Sequence, residues 1–259
     1  MSMMRRYADL SQGQLHYRET GQGSPLVLFH QTASSSSMYE RSAPLLAKRF
    51  RVIAPDTPNF GLSDPLPQKP SMADYARVMV ELLDHLGIQQ AAVAGFHTGA
   101  HIAIEAAATY PDRISRAVMV GVLPVADDAE RAEWHKQIVK PWKPDFEGEF
   151  LKPNLALLQS YMDPSDGEAL WEELTQRLLA GPNYWHAYEA VLNHDAIGQA
   201  KRIAVPSLYI NPQADMLIPQ TKFMHSITPG AEYAEIPGGA DAIMMQPQAF
   251  ADELIRFCG

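Results

Sequence analysis

The stretch that decides the fold is Val93-Ala94-Gly95-Phe96-His97-Thr98-Gly99, which joins two runs of different character. The run before it, Gln90–Ala94, has the length and apolar composition of a buried β-strand. The run after it, Gly99–Tyr110, is rich in alanine, which is the strongest helix former. Glycines on both sides of His97 suit a crowded turn, because only small residues fit there. The sequence therefore predicts that His97 lies on a sharp turn between a strand and a helix.

Strand and helix patterns alternate on both sides of this turn, as is typical of a parallel sheet with helical crossovers. Met72–Leu86 repeats apolar residues at close to 3.6 positions, which predicts a helix that ends at Gly87. The other elements predicted before residue 124 are strands at Leu15–Glu19, Pro25–Leu28, Arg51–Ala54 and Arg116–Val122 and a helix at Met38–Lys48. After residue 196 the sequence predicts strands at Pro206–Ile210 and Ala231–Ile236 and helices near Gln220–Ile227 and over Pro247–Phe257.

Between Pro124 and about Ala196 the strand pattern disappears, and this stretch holds all four tryptophans. We predict that residues 124–196 form an inserted helical cap, while residues 1–123 and 197–259 form the core of a single domain. Pockets for small molecules are mostly lined by apolar and aromatic side chains. Trp134 and Trp185 are therefore candidates to contact a substrate.

Composition excludes several classes of protein. A chain of 259 residues with 46% hydrophobic and 20% charged residues is typical of one large globular domain. Its net charge of -9 disfavours nucleic acid and anionic membrane surfaces as partners. The first ten residues show no apolar run behind their two arginines, and Cys258 is the single cysteine. We expect a cytoplasmic protein, monomeric or homodimeric, whose partner is a small molecule.

The turn around His97 resembles the G-x-S-x-G nucleophile elbow of the α/β-hydrolase fold superfamily, with histidine in the place of serine. Other landmarks occur in the order of that family. Leu28–Thr32 resembles the oxyanion loop after the third strand, and Asp56–Ser63 resembles the D-x-P-G-F-G-x-S loop, with Asn59 replacing its first glycine. Ile236–Gly239 resembles the segment before the histidine loop. The resemblance implies an α/β-hydrolase fold, a mostly parallel sheet flanked by helices, with an inserted helical cap.

The expected catalytic residues depart from the family's pattern. No serine occupies the elbow, and no histidine follows Gly239, so the serine–histidine–acid triad cannot be assembled from these positions. What remains is His97 with two candidate carboxylates. Asp215 follows the predicted strand Pro206–Ile210, where the family's acid belongs, and Asp241 lies about where the histidine is expected. We predict an inverted arrangement, with the imidazole on the elbow and one of these carboxylates bonded to its ring.

Neighbouring positions complete the predicted site. The resemblance implies that the backbone amides of Gln31 and Thr98 form the oxyanion hole. The side chains of His30 and Thr32 are candidates to contact the substrate, although a histidine in such a loop is often buried and structural. His101 stands four residues after His97, a spacing that can hold a metal on a helix. Because His97 should lie on the turn before the helix, we expect no metal and no cofactor.

The serines Ser34–Ser37 offer an alternative nucleophile, although serines at a helix start are usually caps. His194, where the cap rejoins the core, is a further candidate for an imidazole in the pocket. A last alternative is that His97 merely fills space in an inactive elbow.

The resemblance implies an enzyme that acts on a small organic ester, lactone or activated carbonyl compound, with His97 as base or nucleophile. Two alternatives stay open. One is a cofactor-free lyase, decarboxylase or oxygenase that uses His97 as acid and base, and the other is a non-catalytic binding protein that kept the pocket. Because aromatic residues crowd the cap and acids outnumber bases, we expect an uncharged or weakly polar ligand.

Overall fold

The structure, a computed structural model, describes residues 3–259, so residues 1 and 2 of the predicted core segment lie outside it. Its strands are β1 Met4–Leu10, β2 Gly13–Thr20, β3 Ser24–Phe29, β4 Phe50–Pro55, β5 Ala91–Phe96, β6 Ile114–Val120, β7 Ser207–Pro212 and β8 Glu232–Ile236. They form one sheet in the order β1-β2-β4-β3-β5-β6-β7-β8. The pairs β1–β2 and β2–β4 are antiparallel and all others are parallel. The predicted fold class, a mostly parallel α/β sheet, is confirmed.

Helices cover both faces of this sheet. They are α1 Ala43–Leu46, α2 Met72–His85, α3 Thr98–Thr109, α4 Asp128–Ile138, α5 Leu151–Gln159, α6 Gly167–Leu179, α7 His186–Leu192, α8 Ala196–Ala200, α9 Ile218–Ile227, α10 Ala242–Met245 and α11 Pro247–Cys258. The helices α4 to α7 occupy residues 124–196, and none of the described strands falls in that stretch. Within residues 3–259, no helix is long and apolar enough to cross a membrane.

One prediction of local structure is wrong, and one strand was not predicted. The helix expected over Met38–Lys48 is a short 3-10 turn, Ser36–Tyr39, followed by α1. Pro44 lies in the first turn of α1, and a proline has no N–H to bond a carbonyl of a preceding turn, so one continuous helix cannot form. The strand β1 escaped prediction because it lies at the sheet edge and, of its seven residues, only Ala8 is buried. An edge strand of this kind leaves no apolar alternation in the sequence.

The centre of the sheet carries α3 and the turn before it. All six residues of β5 are buried, as expected of a parallel strand covered on both faces. Eleven of the twelve residues of α3 are also buried. Since β3, β5, β6 and β7 are parallel neighbours, their carboxyl ends meet at one edge, where α/β proteins place their ligands.

Close backbone packing holds α3 against the sheet. A Cβ atom added to Gly99 would lie 2.0 Å from the carbonyl oxygen of Phe29 and 2.6 Å from its carbonyl carbon. A Cβ atom added to Gly95 would lie 2.0 Å from the carbonyl oxygen of Gly99. Backbone atoms cannot yield as a flexible side chain does, so both glycines are required for the helix to lie this close.

We predict that Gly99→Ala lowers the free energy of unfolding by about 2 kcal/mol or more, because the added methyl group forces β3 and α3 apart. Denaturant unfolding of the purified protein measures this change. Gly167→Ala, at the start of α6, is the matched control, since a Cβ atom there has no neighbour within 4 Å. Equal unfolding midpoints for the two variants would contradict the close packing.

Candidate active site

His97 lies on the turn between β5 and α3, with a backbone φ of 48° and ψ of −107°. Few residues other than glycine adopt a positive φ, and such strain persists only where the surroundings impose it. Here the His97 N–H donates to the Val120 carbonyl at 2.8 Å, and the Ala100 N–H donates to the His97 carbonyl at 2.9 Å. The turn therefore holds the imidazole at the carboxyl edge of the sheet, with 22% of its side chain exposed.

Asp215, which follows β7, bonds the imidazole of His97. Its Oδ2 lies 2.8 Å from Nε2 of His97, and its Oδ1 accepts the Leu217 N–H at 2.7 Å. Burial raises the pKa of Asp215, but the charge and hydrogen bond of His97 and the Leu217 amide outweigh it, so the pKa is lowered. An ionised carboxylate only accepts hydrogen bonds, so Nε2 of His97 is the donor to Asp215, and in the neutral form of the ring Nδ1 keeps a lone pair.

The lone pair on Nδ1 of His97 is available to a ligand. Within residues 3–259, Nδ1 has no hydrogen-bond partner and is not sealed by neighbouring atoms, and His97 lines a cavity of about 580 Å³. Gly121 leaves room for the ring, because a Cβ atom there would lie 2.4 Å from Cδ2 and 2.6 Å from Nε2 of His97. The imidazole is thus oriented by Asp215 and presents a basic nitrogen to the cavity.

Two backbone amides face the same cavity. Gln31 and Thr98 both line it, and in the described part of the chain neither N–H donates to a protein acceptor. The Thr98 amide opens α3, where the helix dipole is positive. The Thr98 hydroxyl donates to Oγ1 of Thr32 at 2.9 Å, and the Tyr188 hydroxyl donates to the Thr32 carbonyl at 2.9 Å. These bonds fasten the loop after β3 to the turn and to α7, and leave two N–H groups for an oxygen of a ligand.

His30 is not at the cavity, contrary to its expected contact with a substrate. Its ring is 2% exposed, Nδ1 donates to the Gln31 carbonyl at 2.8 Å, and the Thr57 N–H donates to Nε2 at 2.8 Å. Both ring nitrogens are therefore occupied. His30 connects the loop after β3 to the loop after β4, which is the buried, structural role considered for it as an alternative.

Asp241 makes neither a hydrogen bond nor an ion pair with His97 in the described structure, unlike Asp215. It stands at the start of α10, and its neighbour Ala240 lines the cavity instead. Burial raises the pKa of Asp241, backbone amides oppose this rise, and the charge of Asp163 adds to it. The carboxylate thus lies near Asp163 of the 124–196 stretch and is not bonded to the imidazole.

The cavity has a volume of about 580 Å³ and lies between the carboxyl edge of the sheet and the helices of residues 124–196. Trp134 contributes to its wall, together with Trp142, Tyr161 and Tyr188 of the same aromatic-rich stretch. Trp185 lies outside the wall, where the Lys69 ammonium stands 4.5 Å from the centre of its ring. A cation on the ring face explains its position.

Two charged residues of α6, Glu173 and Arg177, also line the cavity, and both are buried. The Ser34 hydroxyl donates to Oε1 of Glu173 at 2.8 Å. Burial raises the pKa of Glu173 to about 7, although the Ser34 bond and the charge of Arg177 act in the opposite direction. The sequence did not predict that this pair is buried at the cavity, because a glutamate four residues before an arginine is also typical of an exposed helix face. Ser34, considered as a nucleophile, is fully buried and bonded to Glu173.

His101 belongs to a separate hydrogen-bonded chain. Its Nδ1 lies 3.0 Å from Nδ1 of His194, whose Nε2 lies 3.0 Å from Oε2 of Glu105. His101 lines the cavity with His97, but its ring is bonded to His194 and neither ring is bonded to His97 or Asp215 in the described structure. Over residues 3–259, no group of three or more histidine, cysteine, aspartate or glutamate side chains is arranged to hold a metal.

We predict that the Glu173 carboxyl destabilises the protein as the pH rises. Its pKa goes from the ordinary 4.5 to about 7 on folding, so the folded state keeps a proton that the unfolded chain loses between these values. Glu173→Gln should gain stability relative to wild type, by about 1–3 kcal/mol, between pH 5 and pH 8. Denaturant unfolding at both pH values measures this. Glu168→Gln, exposed on the same helix, is the control. The prediction is refuted if the stability difference between Glu173→Gln and wild type is the same at pH 5 and at pH 8.

Known proteins resemble this chain in sequence and in structure. The profile of the α/β hydrolase fold family matches residues 24–161, which are 138 of the 259 residues. Haloalkane dehalogenase 2 of Mycobacterium tuberculosis strain H37Rv is 36% identical over 121 residues, which are 45% of this chain and 41% of that protein. The 2-hydroxy-6-oxononadienedioate/2-hydroxy-6-oxononatrienedioate hydrolase 2 of Pseudomonas putida is 34% identical over 126 residues, 45% of this chain and 44% of that protein. The chain thus matches less than half the length of these relatives.

The fold extends further than the sequence match. The enol-lactonase from Burkholderia xenovorans LB400 superposes with a TM-score of 0.83 at 21% identity, covering 98% of this chain and 99% of that one. The profile match, the topology of the sheet and this superposition agree. The chain belongs to the α/β hydrolase fold family.

Proposed function

We propose that this protein hydrolyses a small organic ester, lactone or activated carbonyl compound, with His97 in the place of the family's serine. The observation that carries the proposal is the 2.8 Å bond from Asp215 to Nε2 of His97, which leaves Nδ1 free to face the cavity. The sequence relatives support action on a small organic molecule, since they include a haloalkane dehalogenase and a 2-hydroxy-6-oxononadienedioate/2-hydroxy-6-oxononatrienedioate hydrolase.

His97 acts as a general base in the simpler of two routes. Nδ1 removes a proton from water, the water oxygen attacks the carbonyl carbon, and the carbonyl electron pair moves to an oxygen held by the Gln31 and Thr98 amides. The Asp215 carboxylate stabilises the imidazolium. Collapse of the intermediate breaks the bond to the alkoxide, which takes the proton back from Nδ1. The products are an acid and an alcohol, and His97 returns to its starting state.

In the second route His97 is a nucleophile. Nδ1 attacks the carbonyl carbon, the alkoxide leaves, and water later hydrolyses the acyl-imidazole. The alkoxide must then take its proton from water, because Nδ1 is acylated and Nε2 is bonded to Asp215. The base route uses one nitrogen for both proton transfers, whereas the nucleophile route predicts an acylated protein that intact mass reveals.

A non-hydrolytic reaction is the second candidate. It is favoured because, within residues 3–259, no hydroxyl or thiol is hydrogen-bonded to the His97 ring. The same Nδ1 can remove a proton from carbon or a substrate hydroxyl and begin a cofactor-free lyase, decarboxylase or oxygenase reaction. Hydrolysis in isotopically labelled water transfers one labelled oxygen to the acid product, whereas a lyase product contains none. A binding protein without catalysis would show ligand-dependent thermal stabilisation and no turnover.

We predict that His97→Ala lowers kcat/KM of the best substrate from a panel of esters and lactones by about 10²–10⁴-fold, because the general base is lost. His97→Ser should be equally inactive, since no histidine stands within the family's usual loop to activate a serine. His85→Ala, exposed on α2, is the control and should keep full activity. Wild-type activity in His97→Ala would remove the elbow from the reaction.

A fluorophosphonate probe tests the same proposal by asking whether the protein contains an activated serine nucleophile. We predict no increase in intact mass, because such reagents must reach an activated serine oxygen, and Ser34 is fully buried and does not line the cavity. Stoichiometric labelling of Ser34 or a neighbouring serine would show instead that the chemistry lies on the loop after β3.

A further inference from the structure

Arg177 is a buried cation in the wall of a largely apolar cavity. Its side chain extends from α6, it is 5% exposed, and in residues 3–259 no carboxylate oxygen lies within 4.0 Å of its guanidinium. Lysine and arginine are almost never this buried unless they are paired. The ring of Tyr184, whose centre lies 4.6 Å from Cζ of Arg177, offsets part of the cost of burying this charge. No anion compensates it in the described residues, so a guanidinium kept in this position calls for an explanation.

Its hydrogen bonds fix the orientation of the guanidinium but do not use all of its donors. Nε donates to Oδ1 of Asn154 at 2.6 Å, and Nη2 donates to the Tyr184 hydroxyl at 3.2 Å. The Tyr184 hydroxyl in turn donates to the Lys140 carbonyl at 2.7 Å. An arginine has five N–H donors. In the described structure Nη1 donates to no acceptor within 3.5 Å and is not sealed by neighbouring atoms. The guanidinium stands close enough to the Tyr188 hydroxyl to oppose the rise that burial causes in the pKa of that phenol. Since Arg177 lines the cavity, the Nη1 donors remain available to a ligand.

Glu173 stands one helical turn before Arg177 and does not neutralise it. One of its oxygens accepts the Ser34 hydroxyl, and no ion pair joins it to the guanidinium. Burial raises its pKa to about 7, so the carboxyl is protonated in a large share of molecules at neutral pH. A protonated carboxyl carries no charge and can donate a hydrogen bond. The end of the cavity formed by these two residues is therefore complementary to an anion.

We propose that Arg177, oriented by Asn154 and Tyr184 and assisted by Glu173, binds a carboxylate of the substrate. A guanidinium fork matches two carboxylate oxygens, which gives such pairs both strength and direction. The substrate class then narrows to esters, lactones or carbonyl compounds that carry a second, anionic group. That the bound molecule is a substrate rests on the proposed function, whereas the binding of a carboxylate does not. This inference replaces the expectation of an uncharged ligand.

The field of the whole protein does not supply this preference. The chain has a net charge of -9, which repels anions at long range. Lys140 also lines the cavity, but it is exposed, and its ammonium group donates to the Lys136 carbonyl. A carboxylate must therefore be recognised by a local contact with the buried, desolvated guanidinium of Arg177.

Binding of hexanoate and of its neutral isostere hexanamide, measured by titration calorimetry, tests the proposal without any turnover. Wild type should bind hexanoate at least about tenfold more tightly than hexanamide, because a charge-assisted bidentate pair forms only with the anion. Arg177→Met should lose this preference and keep its affinity for hexanamide. Lys140→Gln is the control and should leave the preference within about threefold of wild type.

Glu173→Gln provides a second variant of nearly equal shape, which decides the matter even where Arg177→Met does not fold. At pH 8 the wild-type carboxylate repels hexanoate, so Glu173→Gln should bind hexanoate more tightly than wild type and hexanamide equally well. The proposal is overturned by equal affinities of wild type for the two ligands, by no hexanoate binding at millimolar concentration, or by no gain in Glu173→Gln. His97→Ala should bind hexanoate as wild type does, so loss of turnover and loss of recognition are separate results.

Discussion

The contact between the Gly99 backbone and the Phe29 carbonyl is the constraint on which the rest of the site depends. With no Cβ atom between them, α3 begins almost against the end of β3, and the turn at His97 has to adopt a positive φ. That turn places the His97 side chain and the Thr98 amide at the carboxyl edge of the sheet, where Gln31 also lines the cavity. A larger residue at position 99 would change the spacing of all of these groups together.

Sequence patterns predicted the centre of the fold better than its periphery, for a physical reason. The strand β5 and the helix α3 are buried on nearly every side, so their composition reports the burial directly. The strand β1 buries a single alanine, and α1 depends on Pro44 to begin a new helix, so neither leaves a pattern of adequate length. Elements that contribute little to the core are determined by their neighbours more than by their own residues.

The site follows the same logic. The sequence offered Asp215 or Asp241 as the partner of the imidazole, and the structure bonds Asp215, which follows a central strand whose direction is fixed by the sheet. Asp241 and Trp185 lie on loops or helix starts, and their positions along the chain do not tell where their side chains point. Arg177 and Glu173 were missed because burial of a charged pair on a helix depends on which neighbouring helices cover it.

The bond from the Tyr188 hydroxyl to the Thr32 carbonyl joins the wall of the cavity to the loop after β3. Thr32 follows Gln31 directly, so α7 holds the very loop that presents one of the two amides to an oxygen. An outward movement of α7 lengthens this bond and removes one of the two bonds that hold Thr32, while the Thr98 hydroxyl keeps the other. The wall of the cavity and the loop that carries the Gln31 amide are thus coupled through Thr32, so a change in the position of α7 acts directly on that loop.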